Sequence, residues 1–227
     1  MHAGGGILRV VIESILSVAA SYLLGSLLGG LLVARLTGRP DIRTVGSGNP
    51  GSTNALRTQG TLFALGVLVV DVGKGWLATA ALPGLTWGLR APSGAAGAWL
   101  PAACGAAVML GHVYPLWYGF RGGKAVATFM GAVLGLAPWL LLPVLFAWLS
   151  VAVLTGFVSV ASMSAALMLP VSALWIGAAA HRALLAFGVF SALLILSTHR
   201  SNIERLRSGR EPRARRLWLF GRTASRT

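Results

Sequence analysis

The stretch LFALGVLVVDVGKGWLA, residues 62–78, is apolar along nearly its whole length and yet carries two opposite charges, Asp71 and Lys74. It lies within an apolar segment from Thr61 to Pro83, which is long enough to cross a bilayer as a helix. Charged side chains inside such a segment are costly and are candidates for function. Their i, i+3 spacing also allows a neutralising ion pair that packs the helices. The stretch predicts a membrane-spanning helix, and it leaves both roles of the pair open.

The composition of the whole chain agrees with a membrane protein. Of 227 residues, 56% are hydrophobic and 11% are charged, and the mean hydropathy is +0.76, whereas about a quarter of a soluble domain is charged. Nineteen basic residues stand against five acidic ones. In a soluble protein this excess would indicate nucleic-acid binding, but in a membrane protein it is typical of cytoplasmic loops. We therefore expect an all-α polytopic membrane helix bundle with no nucleic-acid partner.

Charge bias along the chain predicts the topology. Fifteen basic residues fall in loops or a tail that we place inside, Arg9, Arg90 and Arg182 fall outside, and Lys74 lies within a span. An even number of spans must then separate Lys124 from the tail, so the charge-free residues 125–180 are expected to hold three helices, with turns near Pro138/Pro143 and Thr155–Gly156. The prediction is about seven transmembrane helices in a single domain, residues 1–227, with the N-terminus outside and a basic cytoplasmic tail, residues 211–227. Its first span is the uncharged run Ser14–Ala34, and its third runs from about Ala98 to Tyr114.

A glycine-rich loop, GSGNPGSTNALR at residues 46–57, follows the first predicted span. It matches the dinucleotide fingerprint G-x-G-x-x-G, but that site needs a preceding strand and a βαβ unit, and here a membrane helix precedes it. Backbone N–H groups, hydroxyls and a guanidinium suit an anion such as a phosphate. The alternative is a flexible connector whose arginines contact lipid phosphates. The candidate residues of this loop are Gly46, Ser47, Gly48, Asn49, Thr53, Asn54 and Arg57.

Two further polar segments are predicted on the same membrane face. In FRGGKAVATF, residues 120–129, Gly122 and Gly123 precede Lys124 at the start of a helix, an arrangement that favours a bound anion. In STHRSNIERLRSGRE, residues 197–211, His199 and Asn202 share one helix face, although this segment could also be a basic helix on anionic lipid. Three such segments on one face favour a single site.

Two more residues are candidates with open roles. His112 lies at the inner end of the third predicted span and is either a buried, satisfied histidine or a member of the site. Ser159 lies at the inner end of the sixth, where serines commonly serve helix packing.

Four stretches together are specific: GSGNPGSTNALRTQG, DVGKG, GHVYPLWYGFRGGKAVATFMG and HRSNIERLRSGRE. In order and spacing they resemble the acyl-phosphate-dependent glycerol-3-phosphate acyltransferases of bacterial membranes, from about Ser21 to Glu211. The resemblance implies an enzyme that acylates the 1-hydroxyl of glycerol 3-phosphate from acyl phosphate, giving lysophosphatidic acid and phosphate in the first acylation step of phospholipid biosynthesis. It also implies a site at the cytoplasmic face of the inner membrane and contact with membrane lipids. A monomer is compatible with these expectations, although the sequence does not determine the oligomeric state.

Roles follow from the resemblance residue by residue. It implies catalytic roles for Ser47, Arg57, Ser159, His199 and Asn202, and it implicates Gly122, Gly123 and Lys124 in holding glycerol 3-phosphate. We expect no cofactor and no metal, because carboxylates are too few to build a metal site. The general base stays open between His199, Ser159 and a phosphate oxygen of the donor.

The main rival function is a membrane transporter for a phosphorylated solute, in which Asp71 and Lys74 would couple transport. A transporter of this kind places its ligand groups near the bilayer midplane. This chain concentrates them on one face, which favours the enzyme over the transporter.

Overall fold

The computed structural model of the protein describes residues 3–85, 94–179, 181–215 and 217–222, so the turn predicted around Arg90 lies outside the described residues. In these ranges the regular structure is helical, which confirms the all-α prediction. The chain forms two compact units, Met1–Ala137 and Pro138–Thr227. The expectation of one domain over the whole chain stays a prediction.

The first unit is built from helices that pack in two pairs. Helix α1 packs along α5, and α4 packs along α6, while the short α2 and α3 pack on α4. A π-helical turn, Leu77–Ala81, extends α4. Short 3-10 turns lie at Ile42–Thr44, Leu82–Gly84 and Leu116–Tyr118. The helices are α1 (Ala3–Gly25), α2 (Gly29–Thr37), α3 (Ser52–Thr58), α4 (Thr61–Trp76), α5 (Gly94–Val113) and α6 (Val126–Leu136).

Glycines bring the paired backbones of the first unit into contact. A Cβ atom on Gly25 of α1 would overlap the backbone of Val108 in α5, and one on Gly131 of α6 would overlap the carbonyl of Val72 in α4. Membrane helices associate through such small residues because lipid gives no hydrophobic drive for helix pairing.

The run Ser14–Ala34 does not form the single span that its composition predicts. Helix α1 ends at Gly25, and α2 begins only at Gly29. Carbonyls freed by this break are bound by Lys74 of α4, whose Nζ donates to Gly25 O at 3.1 Å and to Leu27 O at 2.8 Å. Broken helices occur at membrane depth only where other groups satisfy the freed backbone.

The carboxylate of Asp71 serves the other side of the same break. Its Oδ1 accepts a hydrogen bond from Gly29 N at 3.2 Å and forms an ion pair with Lys74 Nζ at 2.8 Å. A cation at the end of α1 and an anion at the start of α2 also complement the two helix dipoles. The predicted Asp71–Lys74 pair is therefore present, and it holds a helix break together.

The second unit consists of α7 (Leu141–Thr155), α8 (Val158–Trp175), α9 (Arg182–Thr198) and α10 (Arg200–Arg207) in its described part. Helix α8 packs against both α7 and α9, and α10 is bent by 58° from α9. A 3-10 turn at Pro138–Leu140 and the left-handed Gly156 separate the helices. Both breaks lie where turns were predicted in the charge-free segment.

The described part of the tail folds back onto this unit. Ala214 N donates to Gly156 O at 2.8 Å. The guanidinium of Arg213 lies between the rings of Phe157 and Trp218, at 4.7 and 4.1 Å from their centroids. Because a Cβ atom on residue 156 would press on Trp218, the glycine leaves room for the tail.

Five helical segments among the described residues are long and apolar enough to span a membrane, and a sixth results if the bent pair α9–α10 counts as one span. The apolar helix α6, at 11 residues, is shorter. About seven spans, with the N-terminus outside and the C-terminus inside, stays a prediction. The five segments are Ile7–Gly25, Thr61–Gly84, Gly97–Tyr118, Pro138–Thr155 and Val158–Trp175.

Candidate active site

The first glycine-rich loop depends on backbone conformations that favour glycine. Gly46 and Gly48 have φ angles of +62° and +71°, in the left-handed region that other residues rarely adopt. A Cβ atom on Gly46 would also overlap the side chain of Asn54. The loop therefore closes over Asn54, and both glycines are required by its shape.

Asn54 is buried beneath this loop and organises it. Its Oδ1 accepts from Ser47 N at 3.0 Å, and its Nδ2 donates to the carbonyls of Ile42 at 3.2 Å and Val45 at 3.1 Å. The side-chain amide has only two donor hydrogens, and both are used inside the loop. In this structure Asn54 thus shapes the loop, whereas the sequence motif placed it among the substrate-binding residues.

The other candidates of the loop are accessible. Ser47, Thr53 and Arg57 are exposed, and Asn49 is half-buried. Asn49 Oδ1 accepts from Gly51 N at 2.8 Å, which fixes the turn before α3. The guanidinium of Arg57, in the last turn of α3, has no ion pair with any described side chain. These exposed donors can therefore bind an anion.

Arg43 connects the first loop to the second. Its guanidinium donates three hydrogen bonds to the two carboxylate oxygens of Asp41, the shortest at 2.7 Å, and these bonds hold the pKa of that carboxyl below its usual value. The same guanidinium lies 5.4 Å from the ring centroid of Tyr118, in the turn before Gly122. Arg43 is thus neutralised and structural, in contrast to Arg57.

The second loop, Gly119 to Ala125, uses its glycines differently from the sequence-based expectation. Gly122 N donates to Val113 O and Gly123 N donates to His112 O, both at 3.0 Å. Both N–H groups are therefore hydrogen-bonded to the C-terminal end of α5. Both positions require a residue without a side chain. A Cβ atom on Gly122 would overlap the His112 carbonyl, and one on Gly123 would overlap His112 Nε2. Their N–H groups are thus hydrogen-bonded within the protein, and the expected role of the two glycines in holding glycerol 3-phosphate stays a prediction.

Lys124 and the start of α6 follow directly. The side chain of Lys124 is half-buried. Ala125, the residue before α6, has a φ of +58°, which costs a residue with a side chain roughly 1–3 kcal/mol and is typical of functional sites. This conformation turns the chain sharply between Lys124 and the helix.

His112 joins the second loop to the buried ion pair. Its side chain is 4% exposed, those of Asp71 and Lys74 are 1% and 3% exposed, and Lys74 Nζ lies 2.8 Å from His112 Nδ1. Thr128 Oγ1 of α6 lies 3.2 Å from the same nitrogen. The sequence left open whether His112 is a satisfied buried residue. Its Nδ1 is satisfied, while its Nε2 lies against Gly123 of the loop.

In the second unit, His199 is buried at the junction of α9 and α10. Its Nδ1 lies 2.8 Å from Ile195 O, and since a carbonyl can only accept, this nitrogen carries a proton. In a neutral imidazole the lone pair then resides on Nε2. His199 therefore has the tautomer of a base that acts through Nε2.

Glu211 gathers two other candidates of the second unit. Its carboxylate accepts from Asn202 Nδ2 at 2.6 Å and from Arg205 Nε at 2.8 Å. The hydroxyl of Ser159, a buried oxygen without a hydrogen bond of standard geometry among the described residues, also faces this carboxylate. Burial acts to raise the pKa of Glu211, but these donors outweigh it and hold the pKa below its usual value. Sequence reasoning missed Glu211, and its only signal was its place at the end of the last motif.

Comparison with known proteins identifies the family of this chain. The family model described as glycerol-3-phosphate acyltransferase matches residues 15–209. The chain belongs to the glycerol-3-phosphate acyltransferase family. Proteins of that name from Laribacter hongkongensis (strain HLHK9) and Synechococcus sp. (strain CC9902) are each 42% identical to it, over 88% and 90% of this chain and 96% of their own length.

A solved structure of a glycerol-3-phosphate acyltransferase has the same fold. The chain is similar to PlsY (YgiH), an integral membrane glycerol 3-phosphate acyltransferase, with a TM-score of 0.78 and 34% identity over 88% of this chain and 94% of that one. That structure is the glycerol 3-phosphate form, and a second PlsY structure, the lysophosphatidic acid form, matches with a TM-score of 0.77 and 32% identity. The resemblance drawn from the four motifs is thus confirmed, and the chain is an integral membrane acyltransferase.

Proposed function

We propose that this protein transfers an acyl group from acyl phosphate to the 1-hydroxyl of glycerol 3-phosphate, giving lysophosphatidic acid and inorganic phosphate. The observation that carries the proposal is the likeness, over 88% of the chain, to an acyltransferase solved with glycerol 3-phosphate and with lysophosphatidic acid. These two molecules differ by one acyl group, as the substrate and product of this transfer do. The reaction is the first acylation step of phospholipid biosynthesis.

The acyl donor is assigned by chemistry. The substrate oxygen attacks the carbonyl carbon of the mixed anhydride, the bond from that carbon to the phosphate oxygen breaks, and phosphate leaves with the electron pair. Phosphate is a good leaving group, and the chain carries no His-x4-Asp motif of the kind that soluble-type glycerolipid acyltransferases use. Two anions must approach each other in this reaction, so positively charged and N–H donors are needed to stabilise them.

The first unit supplies the phosphate-binding groups. We assign the phosphate of glycerol 3-phosphate to Lys124 and His112. Lys124 is half-buried in the second loop, and the imidazole of His112 lies against Gly123, the residue directly before Lys124. We assign Ser47 and Arg57 of the first loop to the reacting groups and the donor phosphate, with Asn49 and Thr53 as neutral donors. An exposed guanidinium suits a phosphate because its fork makes two parallel hydrogen bonds. Gly46, Gly48 and Asn54 shape the loop.

The second unit supplies the proton acceptor. We assign the general base to His199, which the Nδ1 hydrogen bond to Ile195 leaves basic at Nε2. A positioned base commonly contributes 10²–10⁴-fold to the rate. Asn202 and Ser159, which both face the Glu211 carboxylate, orient the reacting groups. A phosphate oxygen of the donor is the alternative acceptor for the proton.

The cellular setting follows from the charge tally. We place the protein in the bacterial inner membrane as a multi-pass protein with about seven spans and its site on the cytoplasmic face, where fifteen of its nineteen basic residues are assigned. It contacts membrane lipids, and we take the working form to be a monomer.

A comparison of acyl donors tests the proposed function. Purified protein receives labelled glycerol 3-phosphate together with acyl phosphate, acyl-CoA or acyl carrier protein in turn, and lysophosphatidic acid is quantified. We expect efficient formation with acyl phosphate only, and little with Lys124→Ala when glycerol 3-phosphate is kept below saturation. Equal rates with acyl-CoA would overturn the donor assignment, and no product with any donor would overturn the activity.

A further inference from the structure

The Asp71–Lys74 pair contacts more than the helix break. Besides Gly25 O, Leu27 O and Asp71 Oδ1, Lys74 Nζ lies 2.8 Å from His112 Nδ1. Its three protons therefore face four acceptors, one of which belongs to a residue that touches the second loop. The ammonium thus connects a structural feature of α1 and α2 to the candidate site.

The contact fixes the tautomer of His112. An ammonium has three donors and no acceptor, so at 2.8 Å from Lys74 Nζ the Nδ1 atom acts as an acceptor, and a proton on it would point at a cation. Asp71 Oδ1 could accept a proton from Nδ1, but it lies farther away, at 3.5 Å. The Thr128 hydroxyl, 3.2 Å from the same atom, can also donate to it. A neutral imidazole then carries its proton on Nε2. His112 and His199 thus have opposite tautomers, one as a donor at Nε2 and the other as a base.

The Nε2–H group points to the second loop. It lies where a side chain on Gly123 would begin, and within the described part of the chain the polar contacts of the His112 side chain are all made through Nδ1. An N–H group that makes no hydrogen bond within the protein can donate one to a ligand or to water. This nitrogen is next to the glycine that precedes Lys124.

We propose that Lys74 is a positioning residue, which holds His112 in the Nε2–H tautomer so that this N–H donates a hydrogen bond to the phosphate of glycerol 3-phosphate at the second loop. The inference rests on the proposed function for the identity of the phosphate. The carboxylate of Asp71 neutralises the positive charge of Lys74, which allows an ammonium to be buried inside the membrane. Thr128 supports the same tautomer from α6.

Two isosteric replacements of His112 test the donor atom. In H112Q the side-chain amide places N–H near the position of Nε2, whereas in H112N the amide reaches only the position of Nδ1. We expect KM for glycerol 3-phosphate to rise about tenfold more in H112N than in H112Q, as for one hydrogen bond to a charged group. KM for acyl phosphate should change equally little in both. A purely structural histidine would give no such difference between the variants or between the substrates.

The double variant Asp71→Asn/Lys74→Met tests the role of Lys74. It removes the ammonium without leaving a buried carboxylate unpaired, which would be strongly destabilising. We expect the His112 ring to show a mixture of tautomers by ¹H–¹⁵N NMR, where the native protein shows the Nε2–H form alone. The KM for glycerol 3-phosphate should rise about tenfold and should rise no further when H112N is added, because the two changes act through one atom.

Titration of the native protein separates failure of this inference from failure of the proposed function. The probe is glycerol 3-phosphate itself, and the readout is the Nε2–H resonance of His112, assigned by its loss in H112Q. This measurement needs no turnover, so it decides the inference even if no acyl transfer occurs. An Nδ1–H tautomer, an unmoved Nε2–H resonance at saturating probe, or equal KM values in H112N and H112Q would each overturn the proposal.

Discussion

Asn202 donates its side-chain amide to Glu211 at 2.6 Å across nine positions of sequence. The same carboxylate accepts from Arg205 at 2.8 Å, so an acid in the segment after α10 fixes the orientation of an amide that we assign to the site. Asn202 is thus oriented by a residue that is not itself among the candidates from the sequence. Because that residue is ionised, its contribution depends on pH.

Replacement of Glu211 is expected to cost both stability and turnover. Glu211→Ala removes the carboxylate that accepts from both Asn202 and Arg205, which costs about 1–3 kcal/mol of unfolding free energy, whereas Glu211→Gln keeps one acceptor oxygen and should cost less. Chemical unfolding at neutral pH measures the difference. The exposed Glu204 of α10 provides the control, and Glu204→Gln should leave stability unchanged. An equal loss in the Glu204 variant would contradict the account.

The effect of Glu211 has a defined pH dependence. Its pKa is lowered in the folded state, so the stabilisation is present above the unfolded-state pKa and disappears as the pH falls through the lowered folded pKa. The native protein should therefore lose stability in acid more steeply than Glu211→Gln does. Parallel pH profiles of the two proteins would show that the carboxylate is not held as described.

A methyl group at Gly123 should inactivate the protein. In Gly123→Ala the new Cβ atom would overlap His112 Nε2, and either the ring or the loop must shift. Misplacement of about 1 Å at a site can cost roughly 10²-fold in rate. Gly73→Ala is the matched control, because a Cβ atom there meets no other residue within 4 Å and alanine favours the helix. Native-like kcat/KM in Gly123→Ala would refute the close contact.

The two glycine-rich loops are expected to serve different substrates. Lys124→Ala should raise KM for glycerol 3-phosphate by about ten- to a hundredfold and KM for acyl phosphate far less, since one charge-assisted contact is worth roughly 1.5–3 kcal/mol. Steady-state kinetics with each substrate varied gives both constants. If only the acyl phosphate constant rose, the assignment of the two phosphates would have to be exchanged.

Residues assigned to the reacting groups should behave differently from Lys124. Ser47→Ala and His199→Ala are expected to lower kcat with smaller changes in KM, because their interactions form mainly in the transition state. Arg57→Lys should fail to restore activity, since an ammonium cannot replace a two-pronged guanidinium on phosphate. A large KM effect with native kcat in His199→Ala would remove it from the role of base.

Membrane orientation can be read from a pair of cysteines that flank α9 and α10. Ala179 and Ser208 are exposed at opposite ends of this bent pair, and the native Cys104 is buried, so it gives little background. In intact cells an impermeant thiol reagent should label Ala179→Cys and should reach Ser208→Cys only after permeabilisation. The reverse pattern would invert the proposed topology.

Sequence predicts helices in this chain better than it predicts their interruptions. The run Ser14–Ala34 is uncharged, and the glycines that border the break, at 25, 29 and 30, are also common in unbroken membrane helices. The physical cause lies fifty residues on, where Asp71 and Lys74 satisfy the freed backbone groups. A long-range contact of this kind leaves no trace in the composition of the segment that it changes.

The sequence motifs placed candidate residues in the loops but did not show which of them shape the loops and which are available to bind a ligand. Asn54 and the glycines at 122 and 123 belong to the motifs because they build the loops, through hydrogen bonds and close contacts that a pattern of letters does not display. Glu211 was missed because its partners lie on other segments. Sequence thus identified the loops, and packing determines which of their atoms are left to bind a ligand.

The most direct test of the central claim is the stoichiometry of a single reaction, in which inorganic phosphate and lysophosphatidic acid are measured together from acyl phosphate and glycerol 3-phosphate. Acyl transfer predicts one phosphate released for each lysophosphatidic acid formed, and almost none when glycerol 3-phosphate is omitted. Phosphate release at the same rate without glycerol 3-phosphate, or release with no lysophosphatidic acid, would show a hydrolase and contradict the account.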